Sequence, residues 1–121
     1  MNVFVDTYIF VAVYYDRNDF LKPLGEFAFQ FFKQAIECKF YVLICKEVVF
    51  ELCKTVGFNE KQVNEIILNE LLKSNKLVFV NVSKSQMNQA KILSFERKLP
   101  LFDCLFAVLA KDNNAILVSR D

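Results

Sequence analysis

The sequence contains no histidine, and only two glycines (Gly25, Gly57) and two prolines (Pro23, Pro100). Without an imidazole, Ser-His-Asp triads and His-ligated zinc sites are excluded. Two distant glycines cannot build the Gly-rich loops that cradle phosphates, and they are too few for the turns of a hairpin-rich all-β fold. No CxxC pair occurs. Cys38, Cys45, Cys53 and Cys104 stand singly among apolar neighbours, so they are expected as free, reduced core thiols of a cytoplasmic protein. The longest apolar run, Tyr8 to Tyr15, falls far short of the ~18 to 20 residues that span a membrane. The opening Met-Asn-Val-Phe-Val-Asp has no basic region, and no signal peptide is expected.

Core material, by contrast, is plentiful: 55% of the 121 residues are hydrophobic and fourteen are Phe. Charged residues make up 24% without low-complexity runs, which excludes intrinsic disorder. The length suits one domain over residues 1–121. A net charge of +1 argues against coating nucleic acid through bulk charge and leaves room for a local basic patch.

Apolar periodicity runs from end to end. Val3 to Val5 reads as a buried strand and Thr7 to Tyr15 as a helix, with a loop at Asp16 to Asp19. Pro23 suits the first turn of a helix reaching about Cys38, with Phe27, Phe31, Ala35 and Ile36 at helical spacing. Phe40 to Ile44 is a second strand, and Lys46 to Thr55 a helix ended by Gly57. Asn59 with Gln62 is a capping box opening a helix to about Ser74 that buries Val63, Ile66, Ile67 and Leu71. Leu77 to Val82 is a third strand. Ser83 with Gln86 repeats the box and starts a helix to about Lys98. Pro100 breaks that helix, Asp103 starts another to about Asp112, and Ala115 to Ser119 is a fourth strand. Short apolar strands separated by helices predict an α/β fold, a three-layer α/β/α sandwich around a mainly parallel four-stranded sheet.

Parallel sheets bind ligands beyond the carboxyl ends of their strands, and four acids are expected there. Asp6 follows the first strand and Asp121 the fourth. Asp103 opens the last helix, and Glu51 lies on the helix after the second strand. Each has an ordinary explanation: Asp6 and Asp103 as N-caps, Glu51 on a solvated face with Glu47 and Lys54, Asp121 as a chain end. Four acids on one edge, however, repel one another unless a cation neutralises them. An all-oxygen donor set favours Mg²⁺ or Mn²⁺ over zinc. Thr7 and Ser119, beside the strand-end acids, are candidates to orient a metal-bound water. Such a site suits phosphodiester hydrolysis without histidine. Arg97, Lys98, Lys111 and Arg120 are candidate contacts to RNA backbone phosphates, or simple helix-end cations.

At these four acids the sequence resembles the PIN-domain family of metal-dependent ribonucleases, including VapC-type toxins. Met1-Asn-Val-Phe-Val-Asp6-Thr7 looks like the family's opening strand and first acid. Cys45-Lys-Glu-Val-Val-Phe-Glu51-Leu52 resembles the second motif, whose register selects Glu51 over Glu47. Asp103-Cys-Leu-Phe-Ala107-Val-Leu-Ala110 looks like the third motif, and Leu117-Val-Ser119-Arg-Asp121 like the fourth. The resemblance implies an endoribonuclease acting on single-stranded or structured RNA. Asp6, Glu51, Asp103 and Asp121 would hold one or two Mg²⁺ or Mn²⁺, and an activated water would leave a 5′-phosphate. It also implies a homodimer and, in the toxin branch, a small antitoxin partner. Family members usually continue past the fourth acid to a final edge strand, which is expected to be lacking here.

Two readings compete with this one. A receiver-type phosphoacceptor shares the length and class, but no adjacent acidic pair follows the first strand and the third ends in Asn81-Val82-Ser83. A catalytically inactive PIN-like module for interaction or dimerisation would instead expose apolar residues such as Phe20, Leu24, Phe27 and Phe31.

Overall fold

The computed structural model describes residues 1–16, 30–37 and 40–119. Four strands, β1 (Asn2–Val5), β2 (Tyr41–Ile44), β3 (Leu77–Phe79) and β4 (Ile116–Val118), form one sheet in the order β3-β2-β1-β4. All three pairings are parallel, with Val3 opposite Val42 on one side and Ile116 on the other. The α/β class, the four strands and the parallel sheet agree with the sequence.

Because all the strands are parallel, each crossover returns the chain to the edge where the next strand begins, through helices. They are α1 (Thr7–Asp16), α2 (helical residues 30–36), α3 (Lys46–Val56), α4 (Glu60–Gln62) and α5 (Asn69–Lys73) before β3, then α6 (Lys84–Arg97) and α7 (Leu101–Asp112) before β4. The first two crossovers step one way along the sheet and the third steps back past β1. Right-handed crossovers then put α1 to α5 on one face and α6 and α7 on the other. Contacts between α1 and α3, between α6 and α7, and from α7 to β1 and β4 follow that division.

The centre of the sheet is the driest part of the molecule. Val3, Phe4 and Val5 of β1 and Val42, Leu43 and Ile44 of β2 are all buried, as expected for strands covered on both faces. Phe4 joins β1 to α7 through Phe106, ring centroids 5.4 Å apart. The edge strands are wetter, with Phe79 and Ile116 exposed, and β3 stops at Phe79 instead of reaching Val82.

Helix boundaries follow local chemistry. Gly57 takes φ 76° as the C-cap of α3, a conformation that costs a residue with a Cβ roughly 1–2 kcal/mol. The capping boxes Asn59–Gln62 and Ser83–Gln86 both form with reciprocal bonds. Lys98 closes α6 in the left-handed region, φ 56°, and the Ser94 hydroxyl donates to the Leu99 carbonyl at 2.6 Å. Pro100, extended at φ −57° and ψ 142°, is the N-cap of α7. The last helix therefore begins at Leu101, with Asp103 in its first turn. Asp103 is not the capping residue that the sequence suggested, because the proline already fixes the helix entry two residues earlier.

The helix expected from Asn59 to Ser74 is interrupted. Val63–Ile67 form a π-helical turn, closed by a Leu68 N–H donating to the Val63 carbonyl at 3.0 Å. The extra residue per turn rotates the buried face. Val63, Leu68 and Leu71 are buried while Ile66 is exposed, correcting the inclusion of Ile66 in the core. Of α2, residues before 30 lie outside the described residues, as do Cys38, Phe20, Leu24, Phe27 and most of the expected Asp16–Asp19 loop. Asp16 itself belongs to α1. Phe31 packs on Phe40 with centroids 4.8 Å apart, so it is core and not a free surface. The π turn makes a sharp prediction for thermal or urea unfolding. Leu68→Ala is expected to cost about 2–5 kcal/mol, whereas Ile66→Ala costs about 0.5 kcal/mol or less. The reverse order would mean an uninterrupted α-helix.

Candidate active site

Between β1 and β4 the chain direction switches, since β1 feeds helices on one face and β4 is fed from the other. Such a switch point opens a crevice at the carboxyl edge. Asp6 stands at its rim. Its N–H donates to the Val118 carbonyl at 3.1 Å, locking the end of β1 to the end of β4. Its Oδ1 accepts from the Tyr8 N–H at 2.9 Å, so Asp6 does cap α1, and the capping explanation is correct as far as it goes. Capping does not account for what surrounds it. Asp6 is 8% exposed and lines a cleft of about 220 Å³ with Leu99, Asp103, Phe106, Leu117 and Ser119.

The structure thus brings together three of the sequence-selected residues from three elements: Asp6 after β1, Asp103 in the first turn of α7, and Ser119 after β4. Asp103 is exposed and Ser119 half-buried. Glu51 approaches the same region from α3. Its Oε1 accepts the Thr7 hydroxyl proton at 2.6 Å, a contact between residues far apart in sequence. Thr7 is itself buried, and its hydroxyl proton is committed to orienting Glu51. Burial pushes the Asp6 carboxyl above its ordinary value. The Tyr8 and Ile9 N–H groups oppose that shift, and the nearby charges of Asp103 and Glu51 add to it. The three carboxyls are therefore electrostatically coupled.

Glu47 does not join them. It was grouped with Glu51 and Lys54 on a solvated helix face, yet it is buried, with Oε1 lacking any hydrogen-bond partner. One turn earlier on α3 than Glu51, it points into a different cavity. Arg97 and Lys98, both exposed, immediately precede Leu99 of the cleft. Lys111 is exposed at the far end of α7. Arg120 and Asp121 lie outside the described residues. Tyr14 packs edge-on against Tyr15 and Phe58, so it serves the fold, while Tyr8 is exposed. Cys45 and Cys104 are buried free thiols and Cys53 a half-buried one.

Leu99, Phe106 and Leu117 were not singled out from the sequence as cleft residues. Phe106 and Leu117 were hidden within apolar runs that read as core. Leu99 carried a usable signal, an apolar residue set between a helix-ending lysine and a proline.

Among the described residues no group of three or more Cys, Asp or Glu side chains comes together to hold one ion. The donors still fit a hard divalent cation. Mg²⁺ usually takes one or two carboxylates and keeps several waters, and Asp6 and Asp103 supply an oxygen pair whose like charge calls for neutralisation. Among the same residues no helix is long and apolar enough to cross a membrane.

Two comparisons with known proteins bear on this geometry. The family model described as PIN domain matches residues 3–121. No curated protein matches the chain.

The raised pKa of Asp6 has a definite sign. The folded state holds the Asp6 proton more tightly than the unfolded chain, whose value is near 3.8. The resulting stability is full below that pH and is lost as pH rises through the folded value. Asp6→Asn, which can still accept the Tyr8 N–H, is therefore expected to raise the unfolding midpoint at pH 7 in metal-free buffer, with the gain shrinking at acid pH. A midpoint lowered by the substitution at pH 7 would contradict this. Thr7→Val removes the donor to a carboxylate and is expected to cost roughly 1.5–3 kcal/mol, much of it absent in a Glu51→Leu background that has no acceptor, as a double-mutant cycle would read.

Proposed function

We propose that this chain, which belongs to the PIN-domain family and has its nuclease-type, generally metal-dependent fold, is an endoribonuclease acting on RNA phosphodiester bonds. The observation that carries the reading is the convergence of the Asp6 and Asp103 carboxylates on one cleft, with Asp6 almost wholly buried. Asp6 and Asp103 would hold Mg²⁺ or Mn²⁺, with Glu51 next and Asp121 as the fourth acid. When bound, the ion would neutralise the acids, polarise the phosphoryl group and lower the pKa of attacking water. Thr7 fixes Glu51 against swinging away from that region. Ser119, in the cleft wall, orients water. Arg97 and Lys98 at the turn before Leu99, with Arg120, would meet the phosphates flanking the cut. Leu99, Phe106 and Leu117 supply the apolar part of the cleft wall.

Single-stranded RNA suits an open edge cleft better than a duplex, since the strand must present one phosphate to a recess. The VapC-type role follows from the same reading. In it the chain is a cytoplasmic toxin that forms a homodimer and is covered by a small antitoxin. The direct test is cleavage of end-labelled single-stranded RNA in Mn²⁺, with product ends identified by mass spectrometry. Wild type is expected to give 5′-phosphates, and Asp6→Asn or Asp103→Asn to lower the rate by about a hundred-fold or more. Undiminished cleavage by both variants would overturn the assignment.

A further inference from the structure

A second cavity, of about 460 Å³, lies on the β2–β3 side of the same sheet edge. That volume is within the ~300–1,000 Å³ of small-molecule sites. Glu47 and Phe50 of α3, Phe79 at the end of β3, and Phe102 of α7 line it, with Lys46. Phe102 directly precedes Asp103, and its ring packs on Phe106 with centroids 6.1 Å apart. Phe106 in turn lines the acidic cleft. One pair of aromatic rings therefore stands between the two cavities.

Glu47 is the feature that the fold leaves unexplained. Its side chain is 9% exposed, and Oε1 has no hydrogen-bond partner. Buried carboxylate oxygens are costly unless something donates to them. The Cys45 thiol hydrogen-bonds the same carboxylate, and burial pushes that thiol up to about 12, so it stays protonated as a donor. The carboxylate is thus held by one donor, while Oε1 is buried with its hydrogen-bonding capacity unmet. Glu47 lines this cavity and not the acidic cleft. Two of the surrounding rings are exposed, Phe79 at 51% and Phe50 at 56%, with the Lys54 ammonium over Phe50 at 5.3 Å from its centroid. Aromatic rings on an exposed strand end and helix, around a carboxylate with a buried, unsatisfied oxygen, are poor design for a core and good design for a flat, N–H-bearing ligand.

We propose that this cavity binds an unpaired RNA base with an N–H donor edge, guanine above all, against Phe50, Phe79 and Phe102 with its Watson–Crick edge on Glu47. Guanine presents the N1–H and N2–H₂ donors side by side, whereas uracil presents a single N–H between two carbonyls. The inference rests on RNA being the substrate, and gives the enzyme a way to choose the nucleotide beside its cut. Lys46 at the cavity supplies positive charge for the attached phosphate. A carboxylate among aromatic rings also suits a cationic side chain of a protein. The base is favoured because the cavity adjoins a cleft that must receive a phosphodiester.

The test titrates the full chain with 5′-GMP, AMP, CMP and UMP in metal-free buffer containing EDTA, followed by NMR. GMP is expected to bind most tightly, and Glu47→Gln to weaken it about ten-fold or more while hardly changing UMP. Glu47→Gln keeps the shape and removes a buried charge, so it should fold; its unfolding midpoint checks this. The exposed Phe79→Ala should weaken all four nucleotides by similar factors. Equal binding of GMP and UMP, or GMP binding indifferent to Glu47→Gln, would overturn the proposal. So would N-acetylarginine amide binding more tightly than GMP, which would assign the cavity to a protein cation. Selective GMP binding without RNA cleavage would sink the nuclease reading and leave the pocket standing. Cleavage without base preference, unaltered by Glu47→Gln, would do the opposite.

Discussion

The pairing of β1 with β4 is the constraint on which the rest of the molecule depends. The two strands lie at opposite ends of the chain, yet Val5 pairs with Val118 and the Asp6 N–H reaches the Val118 carbonyl. Closing so long a loop is entropically unfavourable, and burial of Val3, Phe4 and Val5 between the helical layers offsets it. Once this pairing exists, Asp6 and Ser119 must share an edge. Phe4 against Phe106 then sets how far α7 reaches over that edge, and hence where Asp103 sits. A one-residue slip of β4 would reverse its side chains and dismantle the cleft.

Folding here competes with chemistry. Asp6 is buried, capped onto α1 and coupled to two other carboxyls, each factor serving a different end. Capping stabilises by about 1 kcal/mol, while desolvating a carboxylate near like charges costs more, which is why its pKa rises and does not fall. A domain stable by only ~5–15 kcal/mol tolerates one such residue where a ligand relieves the repulsion. Glu47, with a buried, unpaired oxygen beside an aromatic recess, poses the same problem a few residues from the same edge.

Much of this was legible in the sequence. The apolar runs of β1 and β2, both capping boxes and Gly57 announce themselves through composition and spacing, and the parallel sheet, though not its strand order, follows from the α/β alternation. The acids Asp6 and Asp103 could be placed on one edge because the ends of parallel strands share it. What escaped depends on three-dimensional detail. The π turn at Val63–Ile67 has no local signature, since Ile66 and Leu68 are equally apolar and only packing decides between them. Pro100 displaced the start of α7 by fixing the backbone before Asp103 could cap it. Glu47 looked solvated beside Glu51 and Lys54, because helical spacing does not reveal which neighbours approach a face.

The central claim is that Asp6 and Asp103 form a carboxylate pair completed by a divalent cation. The measurement that tests it most directly is the thermal unfolding midpoint of wild type and Asp103→Asn across a Mn²⁺ titration at pH 7. Binding to the folded state alone raises the midpoint in proportion to the logarithm of ion concentration above Kd. The account predicts that rise in the wild type and its loss in the variant. A midpoint unmoved by millimolar Mn²⁺, or moved equally in both proteins, would contradict it.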